Sequence, residues 1–285
     1  MTSIPQSSVF EFTATYDAAS GRFAATVEAL QKFGDDAAVT IDWGDGSQSS
    51  GGGDFSHTYA STADFTITIK VGPECDRIIL SGGGFKALGG TMPDISTLVL
   101  TSNRFTAVPT NLPSSLKTLK MDSNLLTAVV GTSLPAGLEE LNLNTNSITT
   151  TLPTLPTTLL RLFARGHGTS ALPALPAGLV VLDVGANTTV TSYSALTLPA
   201  TLDTFKANGC TSLTALPSPG ANKALKTVDV SSTGVTAANG GKFMCQLAAA
   251  SIVPDGTLTL ALAPTGTNVS ETKTALAARG WTITP

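Results

Sequence analysis

The chain has 285 residues, enough for one large domain or two moderate ones with a substantial core. Charged residues make up 13% of it and the formal net charge is -4, which argues against a basic surface for nucleic acid or anionic membranes. No apolar run approaches the roughly 18 residues of a membrane span, so we expect no membrane insertion. Three cysteines, an odd number without metal-ligand spacing, predict neither a disulfide framework nor a metal centre.

Short alternating runs in the first 73 residues predict a small β domain. Apolar and polar residues alternate in these runs, which places the apolar ones on one face of a strand. Gly72 and Pro73 then mark the end of the segment. The alternating runs cover residues 9–16, 22–27, 39–43 and 65–71.

Two motifs within this segment carry a family resemblance. Trp43 stands directly before the Gly-Asp-Gly-Ser sequence of residues 44–47, and a His-Thr-Tyr sequence follows at residues 57–59. Together with the final alternating strand, this combination resembles the polycystic-kidney-disease (PKD) domain over roughly residues 4–72. The resemblance implies an Ig-like β-sandwich.

Three acidic residues of the same segment, Asp42, Asp45 and Asp54, have two interpretations. Clustered carboxylate oxygens are the ligands that Ca²⁺ prefers, which makes the three residues weak candidates for a metal site. Asp residues beside Gly also form turns by hydrogen bonding to the backbone, and this is the favoured interpretation. We therefore predict no metal and no cofactor. His57 is interpreted as a structural neighbour of Tyr59, with a general base as the alternative.

From residue 74 to residue 242 the sequence repeats one pattern. The arrangement Leu-x-x-Leu-x-Leu-x-x-Asn-x-Leu recurs at residues 95–105, 116–126 and 138–148 and is the signature of the leucine-rich repeat. Frequent prolines between the strands exclude helices on the return side of each repeat. The recurring Leu-Pro motif of these segments resembles the short bacterial leucine-rich repeat of secreted effectors and surface proteins. The resemblance implies a solenoid with parallel strands on a concave face. Repeats begin at intervals of 20 to 23 residues, at Ile95, Leu116, Leu138, Leu159, Leu179, Leu202 and Leu225.

One column of the aligned repeats is predicted to be structural. A side chain at the repeat Asn turns inward and hydrogen-bonds backbone groups that leave strand pairing. The column also contains a His and a Cys, which elsewhere suggest a general base and a nucleophile. The structural interpretation is preferred for both, since Cys is an accepted alternative in this pattern. The predicted ladder comprises Asn103, Asn124, Asn146, His167, Asn187 and Cys210.

Residues 243–285 lose the repeat phase and predict an αβ capping segment. Helices are expected over residues 242–251 and 270–279, the second with Ser270 as its N-cap, and strands over 257–262 and 281–284. A cap is needed because the end of a solenoid exposes apolar surface and an unpaired strand edge. This end of the chain resembles that of leucine-rich repeat proteins encoded in bacterial and phage genomes.

The predicted fold is therefore mainly β, with little helix. It divides into a PKD-like, Ig-like β-sandwich (residues 1–73), a short-repeat leucine-rich repeat solenoid (74–242) and a capping segment (243–285). The two histidines lie far apart, and no P-loop, CxxC or HExxH motif occurs, so we predict that the protein is not an enzyme.

The outward residues of the solenoid strands form the candidate ligand-binding surface. Phe163 between Arg161 and Arg165 has the chemistry of a binding hot spot, the alternative being a solitary surface aromatic without a role. The candidate residues are Lys120, Asp122, Asn142, Asn144, Arg161, Phe163, Arg165, Asp183 and Lys206.

The function expected from these features is display and binding on the outside of a phage virion. PKD-like and leucine-rich repeat domains usually work outside cells, yet the first ten residues lack the charged and apolar parts of a secretory signal. A capsid decoration or tail-associated protein would explain both the extracellular domain types and the lack of a secretory signal. One domain would dock on the particle, and the other would be displayed. Its partner would be a protein or glycan, other virion proteins included, and not nucleic acid; the oligomeric state is left open. The alternative is a secreted or cell-surface bacterial adhesin or effector that binds a host protein or glycan through the concave face.

The repeat register makes a first prediction, that Leu141 and Leu143 are buried and Asn142 is exposed. Leu143→Ala should then lower the free energy of unfolding by about 2–5 kcal/mol, because it removes core volume. Asn142→Ala should change that free energy by no more than about 0.5 kcal/mol. Urea denaturation measures both, and equal small effects would show that the strand phase is wrong.

Overall fold

The computed structural model describes residues 10–20, 24–31, 36–129, 134–168, 172–220, 222–250, 254–266 and 268–285. The chain divides into two compact units, one of residues 1–126 and 131–142 and the other of residues 127–130 and 143–285. The predicted strand starts at Val9 and Arg22 and the predicted helix end at Ser251 fall outside the described residues. No helix among the described residues is long and apolar enough to span a bilayer.

Eleven strands are described in the first unit. In chain order they are β1 (Phe10–Asp17), β2 (Ala24–Gln31), β3 (Val39–Asp42), β4 (Gln48–Gly51), β5 (Gly53–Thr58), β6 (Asp64–Val71), β7 (Cys75–Ser81), β8 (Phe85–Gly90), β9 (Thr97–Val99), β10 (Thr118–Lys120) and β11 (Glu140–Asn142). A short 3-10 turn, Ala18–Ser20, follows β1.

The first sheet of this unit runs in the order β4-β3-β6-β1-β8, with every neighbouring pair antiparallel. Strands β1, β3 and β6 bury alternate residues, as expected where one face of a sheet is covered. Ile67, Ile69 and Val71 of β6 are fully buried together with Phe12 and Tyr16 of β1. The alternation seen in the sequence therefore identifies the buried face of this sheet.

The second sheet changes from antiparallel to parallel pairing at β7. Strand β2 pairs antiparallel with β5 on one side and with β7 on the other. Strands β9, β10 and β11 then follow β7 in parallel register. The predicted solenoid begins at residue 74 and so includes β7, whereas the hydrogen bonds of β7 also join it to β2. The predicted boundary at residue 73 stays a prediction.

In the second unit, the described residues form six short parallel strands and two helices. The strands are β12 (Arg161–Phe163), β13 (Val181–Asp183), β14 (Thr204–Lys206), β15 (Thr227–Asp229), β16 (Thr257–Thr259) and β17 (Thr282–Thr284), each paired in register with the next. The middle residue of β12 to β16 is buried in each case, because only this side chain points inward from a three-residue strand. A mainly β fold with a parallel sheet and little helix is thus confirmed.

Both helices begin before the predicted positions. Helix α1 (Ala237–Ala249) starts five residues early, because the Thr236 side chain accepts a hydrogen bond from Asn239 N–H and caps it. Helix α2 (Val269–Ala277) is preceded by Asn268 in the left-handed conformation and not capped by Ser270. Strands β16 and β17 are also shorter than expected.

Burial of Leu141 and Leu143 is confirmed, and both side chains are at most 1% exposed. Asn142 is half-buried and not exposed as predicted. The reason is that its amide donates a hydrogen bond to the Asp122 carboxylate of the neighbouring strand over 3.0 Å. The outward residues of these strands are therefore partly covered by one another.

The pairing of β7 and β8 predicts where an N-terminal fragment can be cut. A fragment ending at residue 72 loses the buried Ile78, Leu80 and Phe85, and with them a neighbour for each of β2 and β1. We expect a fragment of residues 1–94 to unfold cooperatively, with Trp43 shielded from a fluorescence quencher. The fragment of residues 1–72 should show a broad transition and a quenched Trp43, because its sheets are left incomplete.

Candidate functional site

Each solenoid turn is built around one residue in the left-handed backbone conformation. At six of the turns below the next residue is the predicted ladder residue, whose side chain is thereby turned inward, and at the seventh it is Thr233. Only Gly adopts this conformation without strain, yet five of the seven turns use another residue. The left-handed residues are Ser102, Ser123, Thr145, Gly166, Ala186, Gly209 and Ser232, with φ between 54° and 76°.

The ladder asparagines bind backbone groups on both sides of their turn. Asn103 Nδ2 donates to the carbonyl oxygens of Leu80 and Leu100 over 2.8 and 3.1 Å, and its Oδ1 accepts from Phe85 N–H over 3.2 Å. Asn124 repeats this arrangement one turn later, with Leu100 as one of its acceptors. In the second unit, Asn146 donates to Leu143, and Asn187 to Ala164. Buried amides thus satisfy backbone groups that strand pairing leaves open.

His167 and Cys210 occupy the same ladder position in the second unit. His167 is 3% exposed, and its Nε2 lies 2.7 Å from the Leu143 carbonyl oxygen, where an asparagine amide would donate. Burial lowers the pKa of His167, and its Nδ1 has no partner among the described residues. Cys210 Sγ contacts the Val184 carbonyl oxygen at 3.2 Å, and burial raises the pKa of its thiol. A neutral imidazole and a protonated thiol, both enclosed, are unsuited to base or nucleophile chemistry.

The acidic residues of the first unit form turns. Asp42 accepts a hydrogen bond from Gly44 N–H, and Asp45 accepts from both the backbone and the hydroxyl of Ser47. Hydrogen bonds from the Ser47 hydroxyl, then from the Ser47 N–H and the His57 ring, lower the pKa of Asp45 to about 2. His57 uses Nε2 for Asp45, at 2.7 Å, and for Ser47, at 3.4 Å, whereas a catalytic triad needs both ring nitrogens.

Asp54 lies on β5. It pairs across the sheet with Glu28, and burial followed by the Asp54 charge raises the pKa of Glu28. Within the described ranges, no group of three or more His, Cys, Asp or Glu side chains is arranged to hold a metal ion. The three weak metal candidates are therefore not brought together at one described site.

The predicted binding residues lie on one surface in each unit, which we call the strand face. It is formed by the first and third residues of each short strand and by the residue two positions after the strand. In the first unit Asp122 Oδ1 accepts from the Thr101 hydroxyl over 2.9 Å and from the Asn142 amide over 3.0 Å. Lys120 Nζ lies 3.3 Å from Glu140 Oε1 on the next strand. Side chains on this surface therefore hold one another in place.

Arg165 of the second unit's strand face is held in place by two other side chains. Its Nη1 donates to Asp183 Oδ1 and to Asn208 Oδ1, both over 2.9 Å. The guanidinium reaches Asn208 by lying across Gly185, where a Cβ atom would collide with Nη1. Asn144 Oδ1 accepts from Arg165 N–H over 2.9 Å. Asn208 and Gly185 were not among the predicted site residues, although they align with Arg165 in the same column of repeats.

Phe163 lies beside this arrangement. It is half-buried and in register with Asp183, which is followed on the next two strands by Lys206 and Asp229. Arg161, exposed at the start of the same strand, has an interaction of its own and is not a free cation. The row of three side chains predicted from the sequence is thus one exposed arginine, one half-buried aromatic and one arginine that is held in place.

Comparisons with known proteins give a partial likeness. No family model and no curated protein matches the chain. Among solved structures it is similar to YopM from Yersinia enterocolitica WA-314, with 24% identity and a TM-score of 0.42. The match covers 51% of this chain and 35% of that one, so the chain spans about a third of YopM. The evidence for repeated turns is the in-register pairing of the short parallel strands of this chain.

Burial of His167 predicts a pH dependence of stability. Its pKa is lowered from 6.5 in the folded chain, so the unfolded chain binds more protons below that pH. Stability is therefore fully present above pH 6.5 and is lost as the pH falls toward the lowered pKa. His167→Asn restores the usual ladder amide and should remove this loss. Urea denaturation at about pH 7.5 and about pH 5.5 compares the two proteins.

The difference between wild type and variant isolates His167, because the only other histidine, His57, is common to both proteins. We expect the variant to gain stability over the wild type as the pH falls. If the free energy of unfolding depended on pH equally in the two proteins, the conclusion that the His167 imidazole is buried in its neutral form would be wrong.

Proposed function

We propose that this chain is a non-catalytic binding protein whose strand face contacts a partner. The observation that carries the proposal is the pre-ordered state of that face, in which Asp122 and Arg165 each bind two neighbouring side chains. A surface whose side chains are already fixed loses little conformational entropy on binding. The enclosed His167 and Cys210 and the turn-forming Asp45 support a role without catalysis.

We further propose that the N-terminal segment is an Ig-like β-sandwich of the PKD type. An aromatic cluster supports this assignment. Tyr59 stacks on Phe65 with ring centroids 4.0 Å apart and on Tyr16 at 5.4 Å, and Trp43 stacks on His57 at 5.0 Å. The Tyr59 hydroxyl donates to the Trp43 carbonyl oxygen over 2.9 Å. The Trp and His-Thr-Tyr motifs of the sequence therefore meet in one cluster.

The proposed place of action is the outside of a phage virion, as a capsid decoration or tail-associated protein. The PKD-like and repeat resemblances and the phage-type and bacterial-type end of the chain support this placement. One domain would dock on the particle, and the other would be displayed for surface or receptor contact. Protein mass spectrometry and immunogold labelling of purified particles test it. Detection on bacterial cells and not on particles would favour an adhesin or effector.

The strand face itself is tested by Phe163→Ala. The purified chain should compete with the particles or cells that carry it for binding to their target surface. Phe163→Ala should weaken the binding free energy of the purified chain by about 1–2 kcal/mol, because it removes an apolar contact from the binding surface. The melting temperature should stay nearly unchanged, since Phe163 is only half-buried.

Leu125→Ala is the matched control. Leu125 is 45% exposed and lies outside the strands, so its truncation removes an equally apolar side chain from another surface. Equal effects of the two substitutions, or no effect of Phe163→Ala, would place binding elsewhere on the chain.

A further inference from the structure

We infer that the strand face of the second unit binds a neutral carbohydrate at the cluster of Phe163, Arg165, Asp183 and Asn208. This inference rests on the proposed function, because it names the ligand class of the same surface. It is carried by three properties of the cluster, namely its charge balance, its open hydrogen-bonding atoms and its aromatic ring.

The cluster and its neighbours are balanced in charge. Arg165 is paired with Asp183 at 2.9 Å, and that carboxylate lies on the strand next to Phe163. Lys206 follows in register between Asp183 and Asp229, at the strand spacing of about 4.8 Å. Two positive and two negative side chains thus alternate over a short distance. An anionic ligand approaching Arg165 would meet Asp183, and a cationic ligand would meet Arg165, so that a neutral polar ligand is favoured.

The same side chains keep unused hydrogen-bonding atoms. Arg165 donates twice through Nη1, and within the described part of the chain its Nε and Nη2 have no partner. Asp183 accepts through Oδ1 from Arg165 and from Gly185 N–H, which leaves Oδ2 open among the same residues. Asn208 accepts through Oδ1 and retains its amide donors. Donors and an acceptor therefore stand side by side in a fixed arrangement.

A hydroxyl group fits this arrangement better than a charged group does. It donates and accepts at once, so one hydroxyl can bind Asp183 Oδ2 while it accepts from Arg165 or Asn208. Adjacent hydroxyls of a sugar ring can occupy the two nitrogens of a planar guanidinium. The Arg165 side chain is 31% exposed and already held, so that little side-chain entropy is lost when such bonds form.

Phe163 supplies the apolar part of the site. The face of an aromatic ring carries partial negative charge and packs against C–H groups, which a pyranose ring presents on one side. Its neighbours in the third strand position are Asp183 and then Lys206, so the ring lies in a polar setting. Protein–protein hot spots lie in well-packed pockets that are fully desolvated, whereas Phe163 stands on an open strand face. One aromatic ring next to fixed polar groups matches the mixed surface of a sugar.

Isothermal titration calorimetry of the full chain tests the inference with cellohexaose, maltohexaose, laminarihexaose and chitohexaose. We expect at least one of them to bind and Phe163→Ala to weaken that affinity about tenfold or more. Phe163→Tyr keeps the ring and should retain binding. Gly185→Ala should weaken binding too, because the new Cβ would meet both the Arg165 guanidinium and the backbone carbonyl oxygen of Asn208 and so disturb the cluster. Thr257→Ala, on β16 of the same face, should leave it unchanged.

Hexaglutamate and inorganic phosphate are the opposing probes. Binding of either at Arg165, without binding of an oligosaccharide, would replace the carbohydrate by an anionic ligand and overturn the inference. Absence of binding to all four oligosaccharides would overturn it as well. If Phe163→Ala still reduced competition for adsorption in that case, the strand face would remain the binding surface and only the ligand class would be wrong. Oligosaccharide binding that Phe163→Ala and Thr257→Ala leave equally intact would place the sugar elsewhere and also overturn it.

Discussion

The repeat part of this protein depends on satisfying the backbone groups at the turn after each short strand. A strand of three residues pairs few of its own amides and carbonyls, and the chain then turns through a left-handed residue. Asn103 and Asn124 bind the carbonyls on either side of this turn and also accept an amide proton. An unsatisfied buried group would cost about 1–3 kcal/mol per turn, comparable with a large part of the stability of a domain.

The ladder position tolerates substitution to the extent that the new side chain can still donate. His167 supplies one donor to Leu143 and leaves its second nitrogen enclosed, and Cys210 supplies the weak donor of a thiol to Val184. Asparagine supplies two donors and an acceptor from a single amide. The second unit therefore contains the turns in which a ladder side chain satisfies fewer groups, and His167 makes one of them sensitive to pH.

A fixed turn also fixes the surface on the opposite side of the strand. Because each strand repeats at the same height, outward side chains stand beside their counterparts at the strand spacing, and those with complementary chemistry bind. Asp122 accepts hydrogen bonds from Thr101 and Asn142 in this way, and Arg165 donates hydrogen bonds to Asp183 and Asn208. In the first unit, β7 connects this parallel arrangement to antiparallel strands, which is possible because the two edges of one strand pair independently.

Features that are local or periodic could be predicted from the amino-acid sequence. Repeat spacing located the strands and the inward residues, such as Leu141 and Leu143, since burial follows the period of a strand. The repeat Asn column identified the residues at the turns, because only a side chain that donates can stand there. Tertiary structure alone decided what depends on neighbours distant in the chain. The pairing of β7 with β2 and the half-buried state of Asn142 were two such outcomes. Pairing of Arg165 with Asp183 and Asn208 across Gly185 was another, because its geometry follows from the lateral stacking of turns and not from any one repeat.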